Sequence, residues 1–257
     1  MLAACQFYFT DRVRKWVLGV HVAQILFAGF GRYSMTARDI THPILGARLV
    51  SLLRQRLAFT SSARYWERRY ACGGTSGSGS YGTLAAAKAE FLNNFVAANR
   101  INTVTEFGCG DGHQLSLANY PHYVGLDVSR AAIELCKRRF EDDRTKSFFL
   151  YDSACFVDYA DLFRSDLAIS LDVVYHLVED GIFEAYVRHL FAAAGQYAIV
   201  YAPDQEMTGT APHVRHRRFS VWIERNCPAW RLAEIVPGPN SGPGRADFFV
   251  YRHAPAT

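Results

Sequence analysis

The sequence predicts an α/β fold, a mostly parallel sheet with helices on both faces, and three observations predict it. From residue 101 onward, short runs rich in β-branched and aromatic residues alternate with segments of helical periodicity, which is the signature of a parallel sheet with crossover helices. The first run, Val104-Thr105-Glu106-Phe107, ends in Gly108-Cys109-Gly110-Asp111-Gly112, a turn whose glycines tolerate positive φ and let a ligand approach the main chain. The second, Val124-Gly125-Leu126, ends in the carboxylate of Asp127, and the carboxyl tips of such strands face the ligand crevice.

Taken in order, residues 44–56 and 84–99 carry apolar positions at helical spacing, the latter at Leu84, Ala87, Phe91, Leu92, Phe95 and Val96. The Gly/Ser segment 73–82 between them is a loop. Strands are expected at 102–107, 122–127, 146–151, 166–171 and 196–202, with helices at 113–119, 129–140, near 155–163 and at 179–193. A helix opening at 113 would turn its first free amides towards the glycine turn, which suits a carboxylate or phosphate. The end of the chain differs: a helix near 214–226 precedes strands at 230–235 and 246–252, joined by a Gly/Pro-rich loop at 237–244.

With 257 residues, half of them apolar, the chain can bury one substantial core and carry an extension. Its net charge of +4 is too mild to hold a nucleic acid without a clustered basic face, so nucleic acid is not the expected partner. The six cysteines are scattered and lack CxxC spacing; no metal site is expected, and reduced thiols point to a cytoplasmic setting. Residues 1–63 read as a helical, basic extension. Its apolar run 16–30 follows Arg12, Arg14 and Lys15 but contains His21 and Gln24, and it falls short of the ~20 residues that span a bilayer. A packed or surface-lying helix is expected there, and Arg32, Arg38, Arg48, Arg54 and Arg56 leave peripheral membrane contact open. Met35 stands as an alternative start.

The run Val104 to Gly112, followed by Val124-Gly125-Leu126-Asp127, resembles the cofactor pocket of class I S-adenosylmethionine-dependent methyltransferases. The resemblance covers about residues 65–201 and is strongest in the GxGxG spacing behind Glu106. It implies a Rossmann-like seven-stranded sheet of order 3-2-1-4-5-7-6 with the last strand antiparallel, in a methyltransferase domain spanning 64–257 whose segment 64–83 is a lid. It implies S-adenosylmethionine as cofactor. Glu106 would orient the amino group of its methionine part, with Gly108, Cys109, Gly110 and Gly112 against it. Asp127, beside Val128, would accept from the ribose hydroxyls and Asp152 from the adenine amino group. Asp172 would line the methyl-transfer cavity, and Trp66 and Tyr81 would wall the sulfonium, which an aromatic face attracts by ~0.5–2 kcal/mol.

Each position also has a purely structural reading: an ordinary strand-to-helix turn for the glycines, a helix cap for Asp152, a linker with a core tryptophan for the lid. His176, in the run Asp172-Val173-Val174-Tyr175-His176, is a candidate general base, since an unperturbed imidazole titrates near ~6.5; a satisfied structural histidine is the alternative. Positioning alone can carry methyl transfer. Tyr175, His213, Arg215, His216 and Arg217 are candidate acceptor-binding residues, because guanidinium groups grip carboxylates and phosphates in a two-pronged fashion; the alternative is a solvated helix start. The expected reaction is methylation of a hydroxyl on a small-molecule or glycan-like acceptor that carries an anionic group. An NAD-dependent Rossmann oxidoreductase would share the strand, glycine turn and acid, and a non-catalytic S-adenosylmethionine-binding protein would share the whole pocket. RNA methylation stays open through the basic N-terminal region, although no RNA-binding module is visible. The sequence is silent on oligomeric state.

Overall fold

Buried apolar residues alternate along the central strands. Leu167 and Ile169 pack on one side of the sheet while Ala168 packs on the other, and Ile199 and Val250 are likewise flanked by Ala198, Val200, Phe249 and Tyr251 facing the opposite way. Burial on both faces requires helices on both, and the computed structural model, which describes residues 59–207, 211–240, 242 and 244–254, has them. The apolar run 16–30, the helix expected at 44–56 and the basic extension lie outside the described residues.

The described elements are α1 (Ser62–Ala71), α2 (Gly82–Ala98), β1 (Thr103–Phe107), β2 (His122–Asp127), α3 (Arg130–Arg139), β3 (Lys146–Leu150), β4 (Ser165–Leu171), α4 (Asp180–Ala193), β5 (Ala194–Ala202), α5 (Phe219–Asn226), β6 (Trp230–Val236) and β7 (Asp247–His253). The strands form one sheet of order β3-β2-β1-β4-β5-β7-β6. β1, β2, β3, β4 and β5 pair in parallel, whereas β7 runs antiparallel between β5 and β6, as the expected closing hairpin requires. One face is covered by α2 and α3 through Leu92, Val96, Ile133 and Cys136, the other by α4 and α5 through Phe183, Val187, Leu190, Phe219 and Ile223.

Three expected elements are corrected. Residues 113–119 form only a short 3-10 turn, Leu115–Leu117, because local side chains claim the backbone: Ser116 Oγ donates to the His113 carbonyl and Asn93 Oδ1 takes the Asn119 amide. No helix forms at 155–163; the Asp158 carboxylate accepts the amides of Leu162 and Phe163, and Asp161 takes a positive φ of 53°. The helix placed at 214–226 begins at Phe219, since the Arg215 amide is drawn instead to the Tyr175 carbonyl.

Candidate active site

The carboxyl ends of β1, β2, β3 and β4 open onto a cavity of about 580 Å³, where an open α/β sheet binds its ligands. Its floor is the glycine turn. Gly108, Gly110 and Gly112 all have positive φ, and at two of them space is as decisive as conformation. A Cβ on Gly108 would collide with Val173, and one on Gly110 with Ser76 Oγ.

The turn carries a bonding pattern that the sequence reading did not anticipate. The amides of Gly108 and Cys109 go to the Leu126 carbonyl and that of Gly112 to Cys109. The amide of Gly110 donates to Asp127 Oδ2, that of Asp111 to Ser76 Oγ and that of His113 to Asp111 Oδ1. Every amide from 108 to 113 is therefore satisfied within the protein, so of the amides expected to await an anion at the start of 113–119 that of His113 is already taken by Asp111. Polar side chains also line the cavity. Gln114 is buried with its Oε1 unpartnered, although its Nε2 donates to the Ala85 carbonyl. A buried acceptor without a partner is costly unless a ligand meets it.

Two carboxylates stand beside it. Glu106 accepts from the Tyr123 hydroxyl at 2.6 Å, and burial pushes its carboxyl up to about 7. Asp127 accepts the amides of Gly110 and Ser129; burial nevertheless lifts it to about 6, against the pull of those two amides. Both acids thus hold their charge at a cost, and a cationic or hydroxyl-bearing ligand would offset it. Asp152 also lines the cavity, and its Oδ1 takes the Ala154 amide, so a turn-forming role coexists with one towards ligand.

The roof is α1 and the loop after it. Trp66 and Tyr70 line the cavity, as do Ser76 and Ser80. Carboxylates tie the roof down in three places. Glu179 accepts from the Ser62 amide and hydroxyl, Glu67 accepts from Ser129 Oγ and the Ala131 amide at the start of α3, and Asp111 Oδ2 accepts from the Ser76 amide and the Tyr81 hydroxyl. Burial would raise Asp111, but the amides of Ser76 and His113 outweigh it and hold the carboxyl below its usual range.

The far wall is the end of β4. Asp172, Val173 and His176 reach the cavity, His176 from the 3-10 turn Val174–His176. Its Nδ1 lies 3.0 Å from the His213 carbonyl. A carbonyl can only accept, so Nδ1 carries the proton and Nε2 keeps its lone pair. Burial lowers this imidazole to about 4, which keeps it neutral at physiological pH.

Of the residues singled out from sequence, Trp66, Glu106, Gly108, Cys109, Gly110, Asp127, Val128, Asp152, Asp172 and His176 line one cavity. The others stand outside its lining. Gly112 abuts Phe140 and Cys136, and Tyr81 stacks on His113 while bonding Asp111. Tyr175 donates to Asp172 Oδ1 and stacks on His216. His213 stacks on Tyr65 at 4.1 Å. Arg217 spends its donors on the carbonyls of Leu177 and Val178 and on Asp180, and Arg215 also pairs with Asp180. Sequence reasoning missed Lys88, Asp111 and Gln114. Lys88 alone left a signal, as a lysine on the buried stripe Ala85, Ala89, Leu92, Val96 of α2.

Comparison with known proteins bears on the fold. No protein-family model matches the chain. It is 30% identical over 134 residues to a small RNA 2'-O-methyltransferase of Arabidopsis thaliana, a match that spans 48% of this chain and only 14% of that protein. Among solved structures it resembles the methyltransferase domain of bacterial CtHen1-C, with a TM-score of 0.55 at 20% identity over 67% of this chain and 100% of that one. It also resembles the N-methyltransferase NodS of Bradyrhizobium japonicum WM9 in complex with S-adenosylhomocysteine, with a TM-score of 0.58 at 14% identity over 77% of this chain and 100% of that one. The magnesium protoporphyrin IX methyltransferase of Synechocystis PCC 6803, also with S-adenosylhomocysteine bound, gives a TM-score of 0.55 at 16% identity over 77% and 98%. The chain shares with these structures the seven-stranded fold of class I S-adenosylmethionine-dependent methyltransferases.

Proposed function

We propose that the chain is an S-adenosylmethionine-dependent methyltransferase that methylates a hydroxyl of a small-molecule or glycan-like acceptor. One observation carries the reading: a single cavity is lined by Glu106, Asp127 and Gln114, whose Oε1 is orphaned, and by His176, whose Nδ1 is engaged by the His213 carbonyl. The residues fit the cofactor. Glu106 and Gln114 would accept from the ammonium of its methionine part, Asp127 from its ribose hydroxyls and Asp152 from its adenine amino group. Trp66 would shield the charged sulfur, which supplies an electrophilic methyl and a neutral leaving group.

His176 gives the preference for oxygen. A hydroxyl must lose its proton as its oxygen bonds to the methyl carbon, and a neutral imidazole held by the His213 carbonyl presents a lone pair to take it. Orientation supplies the rest. An anionic group on the acceptor would have to compete with Asp180 and main-chain carbonyls for Arg215 and Arg217.

A second reading, methylation of a ribose 2'-hydroxyl on a small RNA, is favoured by the similarity to the Arabidopsis enzyme. Both readings ask for a hydroxyl. Cofactor labelled in its methyl group, offered to metabolite and glycan fractions and to short RNAs with 2'-hydroxyl or 2'-deoxy ends, separates them. Label in the small-molecule or glycan fractions supports the first reading. Label only in RNA, lost with the 2'-deoxy end, replaces it with the second, and label in neither contradicts both.

A further inference from the structure

Lys88 is a lysine in the hydrophobic core. It is 1% exposed, sits on the sheet-facing side of α2 and lies over the Tyr201 ring. A cation in such surroundings persists only with a close partner, and its Nζ stands 2.6 Å from Asp172 Oδ2. The partner is itself unusual. Asp172 has a φ of 59°, a left-handed conformation that few residues other than glycine adopt, and its amide is held by the Tyr201 carbonyl. A buried charge and a disfavoured backbone thus converge on one ion pair, while Lys88 lies outside the cavity lining.

What the pair touches explains it. On the lid side, a Cβ on Gly79 would come within 2.9 Å of Asp172 Oδ2, so the 3-10 turn Ser78–Ser80 rests on this carboxylate and needs glycine to do so. On the base side, the Tyr175 hydroxyl donates to Asp172 Oδ1, one residue before His176. The two oxygens of one side chain therefore support two different walls of the cavity.

We infer that Lys88 is a positioning residue that, by fixing Asp172, docks the lid turn Ser78–Ser80 and steadies the turn Val174–His176 on a single carboxylate, so that roof and base close on the cofactor together. Lys88 touches no reacting atom in this account. The inference rests on the cavity being the cofactor site, but its first consequence is visible without cofactor.

Lys88→Met attacks the ion pair from the core side, and Gly79→Ala attacks it from the lid side. Hydrogen exchange of residues 74–82 in the cofactor-free chain should accelerate about tenfold in each, equivalent to a loss of roughly 1.4 kcal/mol, while β1 and β2 keep their protection. Affinity for S-adenosylmethionine should fall by about the same factor, and the double variant should be no worse than the worse single one, because both changes undo the same contact. Unchanged exchange at 74–82, faster exchange throughout the sheet, or effects of the two substitutions that multiply would overturn the inference. Should Lys88→Met not fold, Asp172→Asn, which keeps the shape and removes the charge, takes its place with the same expected results. Wild-type chain that ignores S-adenosylmethionine would refute the cofactor reading, while the exchange arm would still decide whether Lys88 docks the lid.

Discussion

The two halves of the cavity are built on opposite plans. The wall formed by β1, β2 and the glycine turn holds its polar groups deep in the protein, with Glu106 and Asp127 buried and carrying raised carboxyl pKa values of about 7 and 6. The wall at the end of β4 is an assembly of loops: His176 depends on the His213 carbonyl, and Arg217 fastens the stretch around Val178. The first plan makes a rigid, charged socket suited to one cofactor. The second makes a surface whose side chains hold each other, leaving a neutral base and few free charges for the acceptor.

The sharpest way to break this contrast is at His176. His176→Ala should lower turnover by about 100- to 10,000-fold, the usual range for a lost general base, with S-adenosylmethionine affinity nearly unchanged. Equal turnover would leave positioning as the whole mechanism. The pH profile tests the same point. Because burial lowers the imidazole to about 4, the base stays unprotonated far into the acid range, and the acid limb of turnover should lie near pH 4. A limb near 6.5 would mean an exposed histidine.

On the socket side, Asp127→Ala should weaken S-adenosylmethionine binding by about 100-fold, near 3 kcal/mol, since it removes the ribose acceptor and orphans the amides of Gly110 and Ser129. Unchanged affinity by calorimetry would contradict the assignment.

Glu106→Gln should trade affinity for stability. A carboxyl raised from 4.5 to about 7 by burial stabilises the fold in its protonated form. That stability is fully present below the unfolded pKa and is lost as pH rises through 7. The neutral amide should therefore stabilise the empty chain by on the order of 3 kcal/mol at pH 8 and by nothing near pH 4, while weakening the cofactor's hold. Equal unfolding free energies of the two chains at pH 8 would show that the socket stores no such cost.

The smallest effect is expected at Arg217. Arg217→Ala should cost about 1–2 kcal/mol in denaturant unfolding, through lost bonds to carbonyls and Asp180, with little change in acceptor KM. A large rise in KM for an anionic acceptor would return Arg217 to the acceptor site and blur the comparison.

The same contrast decides what could be read from the sequence. The strand, the glycine turn and Asp127 lie within about 25 residues of one another, and their chemistry follows from local periodicity and backbone freedom; the sheet order followed from the resemblance. Asp111, Gln114 and Lys88 act on residues remote in the chain, at Ser76, Ala85 and Asp172, and only the assembled sheet brings them together. The cluster at 213–217 was visible as charge but not as partnership, because Asp180 opens α4 and the Leu177 and Val178 carbonyls that Arg217 engages lie just before it, more than 30 residues away in the chain. The helix expected at 155–163 failed for a local reason, since the Asp158 carboxylate competes with the backbone carbonyls for the amides of Leu162 and Phe163.

Calorimetric titration of the intact chain with S-adenosylmethionine and, separately, with NAD decides whether the socket of Glu106 and Asp127 is a sulfonium-cofactor site. Saturable one-to-one binding of S-adenosylmethionine and none of NAD is expected. Absence of binding at millimolar S-adenosylmethionine, or tighter binding of NAD, would contradict that assignment.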